Sequence, residues 1–139
     1  MLSVRERVSA ARVGILGTLG PGGAPHLVPF CFVLEGDVIY SATDQKPKRT
    51  NRLARFLHVE RDPRVSVLVE NWSEDWERLW WVRMDGRARV LGGGGADAAE
   101  AQRALALLTA KYAQYRERPP AGPVLAIAIE RYRSWPESP

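Results

Sequence analysis

Several features that would narrow the function of this chain are missing from it. It has a single cysteine, Cys31, which excludes an internal disulfide framework and suits a reducing compartment. Within "VPFCFVL" that cysteine reads as a small apolar strand residue. No apolar run approaches the roughly 20 residues of a membrane span. The opening "MLSVRERVSAARVG" is broken by Arg5, Glu6, Arg7 and Arg12, so it does not form the apolar stretch of a signal peptide. A cytoplasmic protein without a membrane partner is expected. The two histidines, His26 and His58, are not spaced as a metal pair, and no cysteine or carboxylate cluster has ligand spacing, so no metal is expected. A GxxxxGK loop is absent, which excludes Walker-type nucleoside triphosphate hydrolysis. No local motif indicates a Ser/His/Asp set, and the catalytic groups stay unknown at this level.

The remaining scarcity is lysine. Of the 20 basic residues only Lys46, Lys48 and Lys111 are lysines. A preference for Arg, Ala and Gly is what a high-G+C genome produces by codon bias. Two of the three lysines nevertheless fall in one short stretch, "DQKPKRTNR". The net charge of +4 attracts anions without saying which. No nucleic-acid motif accompanies it, and the aromatics are not interleaved with base-reading residues, so no nucleic-acid partner is expected.

At 139 residues the chain is read as one domain, 1–139, long enough to bury its own core. Ser3 and Glu6 have capping-box spacing, predicting a helix over about 4–11. "RVGILGTLG" reads as a strand stopped by "GPGGAP". "HLVPFCFVL" reads as one further strand, with Pro29 marking an edge or a bulge. "EGD" then turns it into a hairpin with "VIYSAT". Leu53, Phe56 and Leu57 share a helical stripe, and "RVSVLVEN" returns to strand. In "LWWVRMDGRARVL" the even positions are apolar or small and most odd positions are charged, so its faces differ. Four glycines form a flexible joint, after which Asp97 with Glu100 is expected to cap a helix carrying Leu105, Leu108, Tyr112 and Tyr115. "VLAIAIERYRSW" supplies the last strand. Mostly antiparallel strands with two to three inserted helices point to a small closed barrel.

The lysine stretch sits where a strand ends near Thr43 and a helix begins near Thr50. Helix starts expose unpaired N–H groups and the positive end of the peptide dipole. Cations gathered there oppose the dipole by roughly 0.3–1 kcal/mol each unless an anion binds. Lys46, Lys48 and Arg49, with the hydroxyls of Thr43 and Thr50 and the Asn51 amide, are therefore a phosphate site or a solvated basic turn. Five tryptophans are generous for this length. Trp80 lies on the apolar face of its strand and reads as core. Trp81 lies on the charged face, and Trp72 and Trp76 in "NWSEDWER" need a partner surface, for which a dimer contact is expected.

Taken together, "GTLGPGGAPHLVPFCFVL", "IYSATDQKPKRTNRL", "DPRVSVLVE", "WERLWWVRMDGRARVL" and "IAIERYRSW" resemble the flavin/deazaflavin split-barrel superfamily of pyridoxamine 5'-phosphate oxidase. The combination of "DxKPKRTxxL" with "DWxRLWWVRxDGxARV" is most similar to its F420-dependent oxidoreductase branch. The resemblance implies a mainly β (α+β) fold, a six-stranded antiparallel split β-barrel with peripheral helices, and a homodimer with the cofactor at the interface. It implies coenzyme F420, with FMN as the alternative, and hydride transfer to a small unsaturated, quinone-like or tetrapyrrole-like acceptor. A non-enzymatic cofactor carrier would have the same determinants. It carries phosphate contact onto Thr43, Lys46, Lys48, Arg49 and Thr50. Ring contact falls on Val28, Pro29, Phe30 and Cys31, with Ser41 on the neighbouring strand, and Trp81 and Trp135 become walls from either subunit. The scarcity of catalytic groups agrees with a cofactor that performs the chemistry itself.

Overall fold

A computed structural model of the chain describes residues 2–43, 54–92, 94–120 and 122–137. Its strands are β1 (Gly14–Leu19), β2 (Pro25–Phe30), β3 (Val33–Glu35), β4 (Val38–Ala42), β5 (Arg64–Asn71), β6 (Trp80–Leu91) and β7 (Val124–Trp135). The helices are α1 (Val4–Ala10), α2 (Ala54–Arg61), α3 (Gly95–Lys111) and α4 (Ala113–Glu117). All described strand pairs are antiparallel, in the order β2-β1-β5-β6-β7-β4-β3.

Two expectations need correction. The described residues form seven strands, not six, because "HLVPFCFVL" is two strands. The break has a physical cause at Phe32. The Tyr112 hydroxyl accepts from Phe32 N–H and lies 3.1 Å from the Phe32 carbonyl, while Lys111 Nζ donates to that carbonyl at 2.8 Å. Groups that would have joined a ladder are taken by side chains from α3 and its end. The described residues form four α-helices rather than two or three, because the expected long helix stops at Lys111 and restarts at Ala113. Tyr112, Tyr115 and Leu108 still bury together.

Other local readings hold, except at the start of α3. Ser3 and Glu6 form the reciprocal capping box of α1. Pro29 lies in β2, at the edge of the sheet, where a missing N–H costs no ladder bond. Gly36 turns β3 into β4 at φ 61°, a conformation L residues rarely adopt. Asp97 does not cap α3, whose N-cap is Gly94; its carboxylate instead accepts from Gly92 N–H at 3.2 Å.

The sheet coils around a core in which Leu16, Phe32, Ile39, Phe56, Val67, Met84, Leu125 and Ile127 are sealed from solvent. A second apolar layer lies outside it, where Leu108, Tyr112 and Tyr115 cover Tyr40, Ala42, Val124 and Ala126. β4 and the first part of β7 are therefore covered on both faces. The far half of β7, past Ala128, pairs only with β6.

Candidate functional site

The described site residues expected from the sequence fall in separate parts of this sheet. At one end β4 runs out through Ser41 and Thr43, both buried. Ser41 stands opposite Leu125 and Ala42 opposite Val124. Thr43 is 8% exposed, and its Oγ1 is buried with no hydrogen-bond partner. A buried hydroxyl without a partner costs free energy, so Thr43 Oγ1, which has none among the described residues, is suited to meet a polar group there. Lys46, Lys48, Arg49 and Thr50 lie outside the described residues. α2 begins at Ala54, immediately beyond that stretch.

At the other end, Trp81 on β6 pairs across the ladder with Trp135 on β7. Trp135 is 45% exposed. Trp81 lines a groove of about 450 Å3 on the outer face of the sheet, with Ile15, Leu27, Ser66, Leu68 and Arg83. Leu27 is 70% exposed, which is unusual for a leucine on a strand. Polar groups frame this apolar floor. Ser66 Oγ donates to Asp85 at 2.7 Å, and Arg83 and Arg131 each approach the same carboxylate at 3.2 Å. Burial works to raise the Asp85 pKa, but the Ser66 hydroxyl and the arginines hold it below the usual carboxylate range.

The four ring-contact residues on β2 and beyond divide by strand alternation. Phe30 points into the core and stacks on Phe32 at 5.4 Å. Val28 packs against the same core, whereas Pro29 faces outward on the side of Leu27. Cys31 is half-buried and packs with the outer layer under α3. These four side chains therefore do not share one surface. Trp80 packs against the core with the Arg7 guanidinium 5.0 Å over its ring. Trp72 and Trp76 are 63% and 71% exposed on the β5–β6 connection.

Sequence reasoning did not identify Leu27, Leu68 or Ile15 as lining residues. The signal was present in "RVSVLVEN": Val65, Val67 and Val69 point inward, so Leu68 between them is an apolar residue at an outward position. Among the described residues no group of three His, Cys, Asp or Glu side chains is arranged to hold a metal ion. No helix among them is long and apolar enough to cross a membrane.

An antiparallel β half-barrel with a buried polar end and a partly exposed aromatic face is the architecture of a split-barrel protein. The family model described as pyridoxamine 5'-phosphate oxidase matches residues 3–136, and the chain belongs to that family. A conserved hypothetical protein of Mycobacterium tuberculosis superposes with TM-score 0.69 at 24% identity, covering 97% of this chain and 85% of the other. A FAD-binding protein of Mesorhizobium loti superposes with TM-score 0.68 at 22% identity, covering 96% and 94%. A heme-binding protein of Mycobacterium smegmatis gives TM-score 0.69 at 20% identity, covering 96% of this chain and 54% of that one. At these identities the likeness is one of fold. No curated protein has a significantly similar sequence.

Proposed function

We propose that the chain is an F420-dependent oxidoreductase that grips the phosphate of the coenzyme at the Thr43 end of β4. The observation that carries this reading is the buried Thr43 hydroxyl with no partner, placed directly before a segment containing two of the chain's three lysines. An anion there accepts from Thr43 Oγ1. Lys46, Lys48, Arg49 and Thr50 are assigned to the same anion by their resemblance to the family's phosphate segment. When bound, the deazaflavin ring supplies hydride to a small unsaturated, quinone-like or tetrapyrrole-like acceptor. The protein's part is to hold the anionic tail, orient the ring and keep water from it. Pro29 and the Trp81–Trp135 pair are the exposed surfaces available for that orientation.

The distance between the two ends argues for a homodimer. Ala42 pairs with Val124, and Trp81 pairs with Trp135, eleven residues further along the same strand. At about 3.3 Å per residue the anion end and the tryptophan pair stand roughly 36 Å apart along β7. One coenzyme that touches both must take them from two protomers. The open groove beside Trp81, with Leu27 and Leu68 on its floor, is the surface assigned to that partner.

Titration of purified protein with F420 and with FMN, followed by tryptophan fluorescence, tests the cofactor. F420 is expected to bind more tightly; tight FMN binding without a response to F420 would make the chain an FMN protein, a reading that the FAD-binding relative also favours. Lys48→Ala and Arg49→Ala should each weaken coenzyme affinity by about 1–3 kcal/mol, the loss of a charge-assisted hydrogen bond. Reduced F420 mixed with quinone and tetrapyrrole acceptors then separates an enzyme from a carrier, since a carrier binds without turnover.

A further inference from the structure

The two histidines, distant in sequence, meet between the β1–β2 hairpin and α2. His58 on α2 is nine-tenths buried, and its Nδ1 lies 2.8 Å from the Thr18 hydroxyl of β1. The His26 ring of β2 stands edge-on to it, with centroids 4.9 Å apart and planes at 84°. His26 Nδ1 is buried with no partner. The other side of the His58 ring is close against the hairpin turn, since a Cβ at Gly20 would lie 3.4 Å from Nε2. Thus the rings fill the seam where α2 is fastened to the hairpin.

From this geometry we infer that the His26–His58 pair is an acid-sensitive latch, which holds α2 against the hairpin while His58 is neutral and releases it when His58 takes up a proton. A neutral imidazole satisfies the seam with one bond to Thr18. A protonated ring has two N–H donors, and Nε2 faces a glycine turn. The groups that act on His58 disfavour its charged form. They are His26 from β2 and Arg61 one turn further along α2, while β1 contributes the Thr18 hydroxyl. Among the described residues, none of the causes that shift His58 is a carboxylate that would hold a charge there. Burial first, then His26 and Arg61, keep the His58 pKa below its ordinary 6.5. The sign follows by linkage. The unfolded or released histidine binds the proton more readily, so the contribution to stability is complete above the ordinary value and lost as pH falls toward the folded one.

The latch matters for function because α2 begins at Ala54, at the end of the lysine stretch proposed to hold the coenzyme phosphate. That regulatory consequence rests on the proposed function, but the latch does not. Its test uses the full chain without coenzyme. Histidine ring resonances and amide hydrogen exchange are followed from about pH 7.5 to about 5. His58 is expected to resist protonation, and the protection factors of the α2 amides, which correct for the intrinsic pH dependence of exchange, to fall at least tenfold in step with its protonation while those of β5 and β6 hold. In His58→Gln, the α2 protection factors should lose this pH dependence. In His26→Gln, one like charge is gone, and the α2 transition should move to higher pH. Protonation of His58 with unchanged α2 protection factors would overturn the latch. So would an α2 transition that is the same in wild type and in both variants; if His58→Gln does not fold, the wild type and His26→Gln still decide. Coenzyme affinity over the same range is a separate measurement, so failure of the latch and failure of the coenzyme site are distinguishable.

Discussion

The two ends of β7 are made from one continuous strand, yet they are different materials. From Val124 to Ile127 every residue is buried, with the barrel core on one face and the α3–α4 layer on the other. From Glu130 to Trp135 none is buried, and the residues are glutamate, arginine, tyrosine, serine and tryptophan. The sealed end is stabilised by the protomer itself and positions Thr43. The open end carries its arginines and its tryptophan on a surface that the protomer does not cover. On the proposed function, the strand is rigid where it would aim a ligand group and uncovered where a second protomer would dock.

The junction between the two ends gives the largest expected effect. β6 and β7 shift register between Asp85 and Gly86, beside Ala128 and Ile129. A Cβ on Gly86 would lie 2.2 Å from the Ala128 carbonyl oxygen and 3.0 Å from its carbon. Both neighbours are backbone, so relief requires moving a strand. Gly86→Val should cost about 3 kcal/mol or more, read as a fall in the thermal or denaturant midpoint. A variant as stable as the parent would mean that the sealed and open halves are not held in register here.

Next in size is the anchor of the sealed end. The Tyr112 hydroxyl serves Phe32 N–H and lies 3.1 Å from both the Phe32 and the Arg12 carbonyls. Tyr112→Phe removes that hydroxyl and leaves a buried N–H unpaired, for a loss of about 1–3 kcal/mol in denaturant unfolding. Coenzyme binding by the remaining folded protein should survive.

The open end should behave in the opposite way. Trp81→Ala and Trp135→Ala together are expected to leave monomer stability within about 1 kcal/mol, because partly exposed side chains lose little on truncation. Self-association should weaken at least tenfold in sedimentation equilibrium, the usual consequence of losing aromatic anchors, about 1.4 kcal/mol or more. Unchanged association would place the dimer contact on another face, and Trp72 and Trp76 would be the next residues to change.

The same contrast explains what the sequence revealed. The period-two pattern of "RVSVLVEN" placed β5 to the residue, since burial on one face writes itself into alternation, and the apolar start of "VLAIAIERYRSW" marked β7, whose first residues are buried on both faces. The capping box of α1 and the edge position of Pro29 were legible because each depends on neighbouring backbone only. The division of "HLVPFCFVL" was not legible, because the groups that break it come from Lys111 and Tyr112, some eighty residues away. For the site, residue types pointed to the phosphate end, while the groove beside Trp81 emerged only when β1, β2, β5 and β6 were assembled. The histidine pair was invisible for the same reason, since His26 and His58 lie on elements that only tertiary packing brings together.

Lys111 offers the smallest effect and the finest test of how the sealed end tolerates charge. Its amine donates to the Phe32 carbonyl and sits 4.2 Å over the Phe32 ring. Burial, then the Arg12 guanidinium, lower its pKa from 10.5 to about 8. The carbonyl and the ring favour the charged amine and offset part of that burial. Because the folded value lies below the unfolded one, the unfolded chain binds more protons between about 8 and 10.5, and stability should rise with pH across that window. The gain is modest, since the side chain is only half-buried and solvent screens it. Lys111→Met should flatten the slope between those pH values in denaturant titrations while leaving the fold intact. A slope that persists in the variant would assign the titration to other groups, and Lys111 would then be an ordinary surface lysine that happens to lie against Phe32.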